Sequence, residues 1–229
     1  MKQIISVTIL DDHQSIIDGY LYRLGQTPGI EVIDTLSFGD DLEPALQKRT
    51  PDVLILDINV PTNAQNSISY PILHIIPKLL RFYPRLNILV ISMLMERSLI
   101  RNVMEAGANG YILKEDRSSI SELGSIVQTV AGGGIHFSPK AYQLYQKALA
   151  GSDQEPLSPR QLEALSLCAA RPDALTAEIA QEMAVANSTV RNLLSGAYIK
   201  LGVRTRAAAI TKAQSLGLIT PPQVKPLGE

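Results

Sequence analysis

The sequence predicts an α/β protein: a doubly wound, parallel, five-stranded sheet, followed by an all-α helix-turn-helix domain. Three observations carry this. Short β-rich runs alternate with helix-length amphipathic stretches over the first 130 residues, the pattern of βαβ units. Two of the runs, Val53–Leu56 and Ile88–Ile91, are continuously apolar, as in strands covered on both faces. The last 73 residues carry only helical periodicity, broken by capping and turn residues.

The strands are expected at Ile4–Leu10, Glu31–Thr35, Val53–Leu56, Asn87–Ile91 and Gly110–Leu113. Helices are expected at Ser15–Gly25, with Ile16, Ile17, Tyr20, Leu21 and Leu24 three and four apart, at Ser98–Ala106, and at Ser119–Val130. Between the third and fourth strands the chain is long and polar, from Thr62 to Ser69. Pro71 and Pro77 follow where another helix should run; Pro71 suits a first turn, and Pro77 should kink or break that helix. The 62–70 loop is expected over the mouth of the strand ends, where it either tunes access or is a tolerated surface insertion. Gly132-Gly133-Gly134 ends the last of these helices, and Ser138-Pro139 opens a short one. Gly151–Pro156 reads as an exposed linker. The expected domains are thus 1–131, a linker with a short helix over 132–156, and a helical domain over 157–229.

In the tail, Ser158-Pro159 opens a helix to about Ala170, and Thr176 caps a second to about Met183. Asn187 or Ser188 caps a third, which Gly202 ends, and Thr205 starts a fourth. A three- or four-residue turn between two helices is the helix-turn-helix arrangement.

Composition narrows the function classes. The chain has 229 residues, 45% of them apolar, which excludes wholesale disorder. Its one cysteine, Cys168, cannot form an internal disulfide or a Cys-rich zinc site. No apolar run reaches a membrane span, and Asp11-Asp12 after a strand-like N-terminus argues against a signal peptide, so a cytoplasmic location without membrane contact is expected. Residues 1–156 hold 13 Lys+Arg and 17 Asp+Glu; residues 157–229 hold 8 and 5. The net charges of −4 and +3 suit two modules with different partners, or ordinary scatter.

In a doubly wound sheet, ligands gather at the carboxyl ends of the strands. Here those ends are polar: Asp11-Asp12, Asp57, Ser92 and Lys114. Clustered carboxylates favour a hard divalent cation, Mg²⁺, and a nearby lysine and hydroxyl suit phosphoryl oxygens. Asp57, alone after a rigid buried strand, is the candidate phospho-acceptor. Each aspartate could instead merely cap the following helix.

These residues carry a resemblance. Asp11-Asp12-His13, Asp57-Ile58-Asn59-Val60-Pro61, Val90-Ile91-Ser92-Met93 and Ala106–Lys114 (AGANGYILK) resemble the motifs of the flavodoxin-like receiver domain of two-component response regulators. The resemblance implies that Asp57 is phosphorylated, that Asp12 and Asp57 hold Mg²⁺ with Asp11 nearby, and that the Asn59 carbonyl completes the metal shell. Ser92, Tyr111 and Lys114 would sense the phosphoryl group. The receiver family's usual glycine shortly after Pro61 is missing.

In the tail, Leu157–Leu165, Ala177–Ala180, Ser188–Asn192 and Lys200–Val203 with Arg206 resemble the LuxR-type domain of NarL/FixJ-type regulators. Ala177 and Leu193 depart from that pattern, and Gly196 should weaken the third helix by about 1 kcal/mol against Ala. Thr189, Arg191, Asn192 and Ser195 are expected on the solvent side of the third helix, where Arg can read guanine and Asn adenine. Lys200, Arg204 and Arg206 suit phosphate contacts.

The expected function is a phosphorylation-controlled transcription factor. It would accept its phosphoryl group from a histidine kinase and bind promoter DNA as a homodimer. The alternative is a DNA-binding regulator whose receiver answers to a partner or ligand. A phosphatase with an aspartate nucleophile would need a second aspartate two residues on, and Asn59 stands there, so the chain is not expected to be an enzyme.

Overall fold

The structure is a computed structural model describing residues 4–149, 157–216 and 218–219; the expected linker Gly151–Pro156 lies outside them. The expected strands form as β1 (Ile5–Leu10), β2 (Ile30–Leu36), β3 (Val53–Leu56), β6 (Asn87–Ser92) and β7 (Gly110–Leu113). They pair in parallel, in the order β2-β1-β3-β6-β7. Successive side chains point to opposite faces. Val53 and Ile55 join a core with α1 (Gln14–Gly25) and α6 (Leu123–Ala131). Leu54 and Leu56 join the opposite core with α2 (Leu42–Lys48), α3 (Ile72–Phe82) and α4 (Arg97–Glu105). Burial on both faces explains the unbroken apolar runs.

The sheet has a sixth strand beyond the five expected. β8 (His136–Phe137) pairs in parallel with β7, Gly110 opposite His136 and Tyr111 opposite Phe137. α5 (Arg117–Ser121), capped by the Asp116 carboxylate accepting from Ser119 N, and α6 make the crossover. α7 (Pro139–Leu149) then packs back on α4, with Phe137 stacked on Tyr145 at 5.1 Å. Residues 136–149, expected as part of the linker, therefore cover the receiver's α4–β7 side. Two residues with no flanking periodicity are too few to announce a strand.

The polar stretch after Asp57 forms an antiparallel hairpin, β4 (Pro61–Asn63) and β5 (Asn66–Ser69). Asn63 Nδ2 donates to Asp40 Oδ2 at 2.7 Å, and Ser69 Oγ donates to Asn59 Oδ1 at 3.0 Å. The Tyr70 ring lies on Gly39 so closely that no Cβ fits there. Of the expected kink or break at Pro77, the break does not occur: α3 runs through it. A proline inside a helix costs about 3 kcal/mol. Ile72, Ile76, Leu79 and Leu80 are all buried, each worth about 1.5–3 kcal/mol, and this burial outweighs the proline.

The tail folds as α8 (Pro159–Ala170), α9 (Thr176–Glu182), α10 (Asn187–Leu201) and α11 (Arg206–Ser215). Ser158 and Gln161 form a reciprocal capping box, and Thr205 Oγ1 accepts from Ala208 N. α10 ends at Gly202, in the left-handed region at φ +68°. Gly196 is a packing residue: a Cβ there would meet Gln161 Nε2 at 2.7 Å. The cores of receiver and tail merge into one cluster, so the two domains are packed together.

His136 stands at this junction. Its Nε2 is buried without a hydrogen-bond partner among the described residues, and Ile135 N donates to Arg204 O of the tail. Burial first, and the Arg204 charge second, lower its pKa to about 4. The unfolded chain, with a pKa near 6.5, then binds more protons between pH 4 and 6.5, so stability rises with pH across that window and is lost as pH falls. Replacing His136 by Gln should flatten the thermal stability profile over this range, measured by melting at half-unit pH steps; an unchanged slope would assign it to other groups.

Among the described residues no helix is long and apolar enough to cross a membrane.

Candidate functional site

Four strand ends build the first site. β1 delivers Asp11 and β3 delivers Asp57, both buried; β6 ends in buried Ser92, and the residue after β7 is Lys114. Lys114 Nζ lies 2.7 Å from Asp11 Oδ2 and 2.7 Å from Asp57 Oδ2. Burial works against the ammonium, but the hydrogen bonds to Asp11 and Asp57 and their charges outweigh it and raise the pKa. Lys114 thus stays a fixed positive charge beside the candidate acceptor.

Asp11, Asp12, His13 and Asp57 present ligand atoms all within 4.8 Å of one another. Two buried and one partly exposed carboxylate form a hard oxygen set that suits Mg²⁺, which takes few protein ligands and keeps water and phosphate oxygens. An ion held by these carboxylates would offset their repulsion of a phosphate dianion. His13, part of the quoted motif but given no role from sequence, is exposed, with Nδ1 2.7 Å from Asp12 Oδ1. Its imidazole is a softer donor, better suited to orienting Asp12 than to holding Mg²⁺. Asn59 N donates to Asp57 Oδ1 at 3.4 Å, which places Asn59 on the rim of the cluster, its side chain tied to the hairpin.

Ser92 and Tyr111 sit behind the acidic cluster. Ser92 Oγ accepts from Leu94 N at 3.4 Å, and Tyr111 Oη donates to Leu94 O at 2.8 Å. The Tyr111 ring is fully buried, which together with nearby Glu96 and Asp57 raises the hydroxyl pKa despite a hydrogen bond with Ser92. Both residues hold the loop that leads into α4.

The second expected site is differently placed from its prediction. Thr189, Lys200 and Arg204 are exposed, but of the expected solvent-facing stripe of α10 only Thr189 is so: Asn192 is half-buried, Ser195 is buried, and so is Arg191. The receiver covers it. Arg191 Nη1 donates to Asn109 Oδ1 at 3.0 Å, and Nη2 donates to Leu86 O at 2.7 Å and Pro84 O at 3.2 Å. Asn192 Nδ2 donates to Glu105 O. Asn187, expected as a cap, instead donates from Nδ2 to Leu80 O at 3.2 Å, and Ala186 takes the N-cap position. Gly107, at φ +105°, allows this approach: a Cβ would lie 3.4 Å from Ser188 Cα and 2.7 Å from Leu80 Cδ1. Arg206 Nη1 donates to Ala174 O within the tail.

The sequence reading missed Asn109, Gly107 and the carbonyls of Pro84 and Leu86. Asn109 carried a signal, because a polar residue before a buried strand must find partners. It accepts from Ile88 N at 3.1 Å as well as from Arg191.

Comparison with known proteins finds a match for each domain. Residues 7–124 match the response regulator receiver domain, and residues 155–213 match the bacterial regulatory proteins of the luxR family. The transcriptional regulatory protein DesR of Bacillus subtilis is 29% identical over 93% of this chain and 98% of its own. The transcriptional activator DevR/DosR of Mycobacterium tuberculosis is 27% identical over 95% and 98%. Among solved structures, RcsB of Salmonella enterica serovar Typhimurium, bound to a promoter with a phosphomimetic, superposes with TM-score 0.56 at 25% identity, covering 93% of this chain and 98% of that one. With an acidic Mg²⁺ cluster at the strand ends and a helix-turn-helix behind it, the chain belongs to the NarL/FixJ-type two-component response regulators, phosphorylation-controlled DNA-binding transcription factors.

Proposed function

We propose that the structure is the resting, DNA-excluding form, and that phosphorylation of Asp57 by a sensor histidine kinase in the cytoplasm releases α10 to bind promoter DNA as a homodimer. The observation that carries this is Arg191: the cation best placed in α10 to read a base lies buried in the receiver. A recognition helix held this way cannot enter a major groove. The chain would act as a stoichiometric switch, not as an enzyme.

A contiguous route supports the coupling. Ser92 and Tyr111 grip the loop at Leu94; that loop opens α4, and the far end of α4 meets α10 through Glu105 and Gly107. A phosphoryl group drawing Ser92 inward would shift this loop and α4, which would then take a second packing against its neighbours. Lys114 would hold one phosphoryl oxygen, and the carboxylates of Asp11, Asp12 and Asp57 with the Asn59 carbonyl would hold Mg²⁺. Once open, Thr189, Arg191, Asn192 and Ser195 would face the groove, with Lys200, Arg204 and Arg206 against phosphates.

The direct test is intact-mass analysis of the full chain with a small-molecule phosphodonor and Mg²⁺, followed by DNA binding. Phosphorylation should add one phosphoryl mass and tighten binding together. Phosphoryl uptake with no change in DNA binding would instead favour control of the receiver by a partner or ligand. Ser92→Ala should still take up the phosphoryl group but lose the gain in DNA affinity; a variant that responds like wild type would place the switch elsewhere.

A further inference from the structure

Arg191 is a buried cation without a counter-ion. Among the described residues no carboxylate pairs with it, its three hydrogen bonds go to neutral oxygens, and its Nε has no partner. An uncompensated buried charge is unfavourable unless something neutralises it. Beside it the two domains enclose a cleft of about 380 Å³, lined by Arg191, Arg206, Ser195 and Tyr198 from the tail and by Arg85 and Asn109 from the receiver. The volume is within the range of small-ligand sites. Arg206 lines the same cleft, and burial first, with the Arg206 charge second, works against the Arg191 guanidinium. The cleft's two carboxylates do not relieve this. Asp52 is engaged by Ser6 N and Oγ at 2.8 and 2.7 Å, and Asp173 is exposed at the rim.

Two guanidiniums that no carboxylate among the described residues pairs with, in a pocket shared by both domains, form a receptor for an anion with several oxygens. We propose that this interdomain cleft binds a small phosphate-bearing anion, which holds the receiver and the DNA-binding domain together and so opposes DNA binding. Phosphate is the favoured chemistry because Arg191 and Arg206 are the side chains expected to meet DNA phosphates and bases once the domains part. The same cations would serve one anion in the closed form and another in the open form. Linkage then requires that each weaken the other. This inference rests on the reading of the structure as the DNA-excluding form.

The test uses the unphosphorylated full chain, with inorganic phosphate and glycerol phosphate as probes against chloride at matched ionic strength. Calorimetry should show saturable binding of at least one probe, and DNA affinity should fall by about 5-fold or more at saturation. Arg206→Lys, which keeps the charge but loses the planar fork, should weaken probe binding. Arg85→Gln, on the exposed rim, should do so without disturbing the fold. Binding of inorganic phosphate alone would identify the free ion as the ligand, and tighter binding of glycerol phosphate an ester. No binding beyond the chloride control, or binding undiminished in both variants, would overturn the site. Probe binding that leaves DNA affinity unchanged would keep the site but overturn the reading of the closed form.

Discussion

Asp57→Asn yields a chain that gains no phosphoryl mass from a phosphodonor and Mg²⁺, and whose DNA binding no longer responds to the donor. The amide cannot form the acyl phosphate, and no other carboxylate in the cluster shares its position. Asp11 and Asp12 leave β1, whereas Asp57 closes β3 with Lys114 Nζ 2.7 Å away. The fold should survive. The substitution removes one of the two carboxylates that hold Lys114, but Asp11 remains at 2.7 Å. It also relieves repulsion among carboxylates whose oxygens lie within 4.8 Å. These effects oppose each other, so far-ultraviolet circular dichroism and melting should stay close to wild type. Hydroxylamine-labile label appearing on the peptide that carries the substituted residue, or on Asp11 or Asp12, would refute Asp57 as the acceptor.

Asn109→Ala produces the opposite phenotype, a chain that binds DNA without phosphorylation. Asn109 Oδ1 accepts a charge-assisted hydrogen bond from Arg191 and lies in the receiver, outside the helix-turn-helix. Losing such a bond costs about 1.5–3 kcal/mol, roughly 10- to 150-fold in the balance between closed and open forms. If the closed form dominates at rest, apparent DNA affinity rises by the same factor, because it scales with the fraction of competent protein. Part of the cost falls on the receiver, since Ile88 N also loses its acceptor. A melting curve separates that loss from the release of α10. The decisive measurement is DNA affinity with and without phosphodonor. The variant should start near the phosphorylated wild-type affinity and gain little more. Unphosphorylated binding no tighter than wild type would show that the Arg191–Asn109 contact does not restrain α10.

The chemistry of the phosphoryl site was legible in the sequence because strand ends are local. Four apolar residues in a row fix a buried parallel strand, and whatever follows it emerges at the sheet's carboxyl edge. Asp11, Asp57, Ser92 and Lys114 converge for that reason, and the tail's caps at Ser158 and Thr205 follow from signals within three residues. Other features were decided by contacts distant along the chain. Pro77 stays helical because Ile76 and Leu80 are buried beneath it. The polar 62–69 stretch becomes a hairpin because Asp40, Gly39 and Asn59 give it anchors. The recognition helix shows the limit most clearly. Its sequence determined that Arg191 and Ser195 lie apart from the core stripe of Val190 and Leu194, a matter of helical period. Which surface they meet, the groove of a duplex or Asn109 and the Leu86 carbonyl some hundred residues away, is a choice between two packings of the same helix. Periodicity is blind to that choice, because a face that must be polar toward solvent is equally able to bond a neighbouring domain. Only the tertiary structure settles it, through the acceptors the receiver presents and the missing side chain at Gly107 that lets α10 come near.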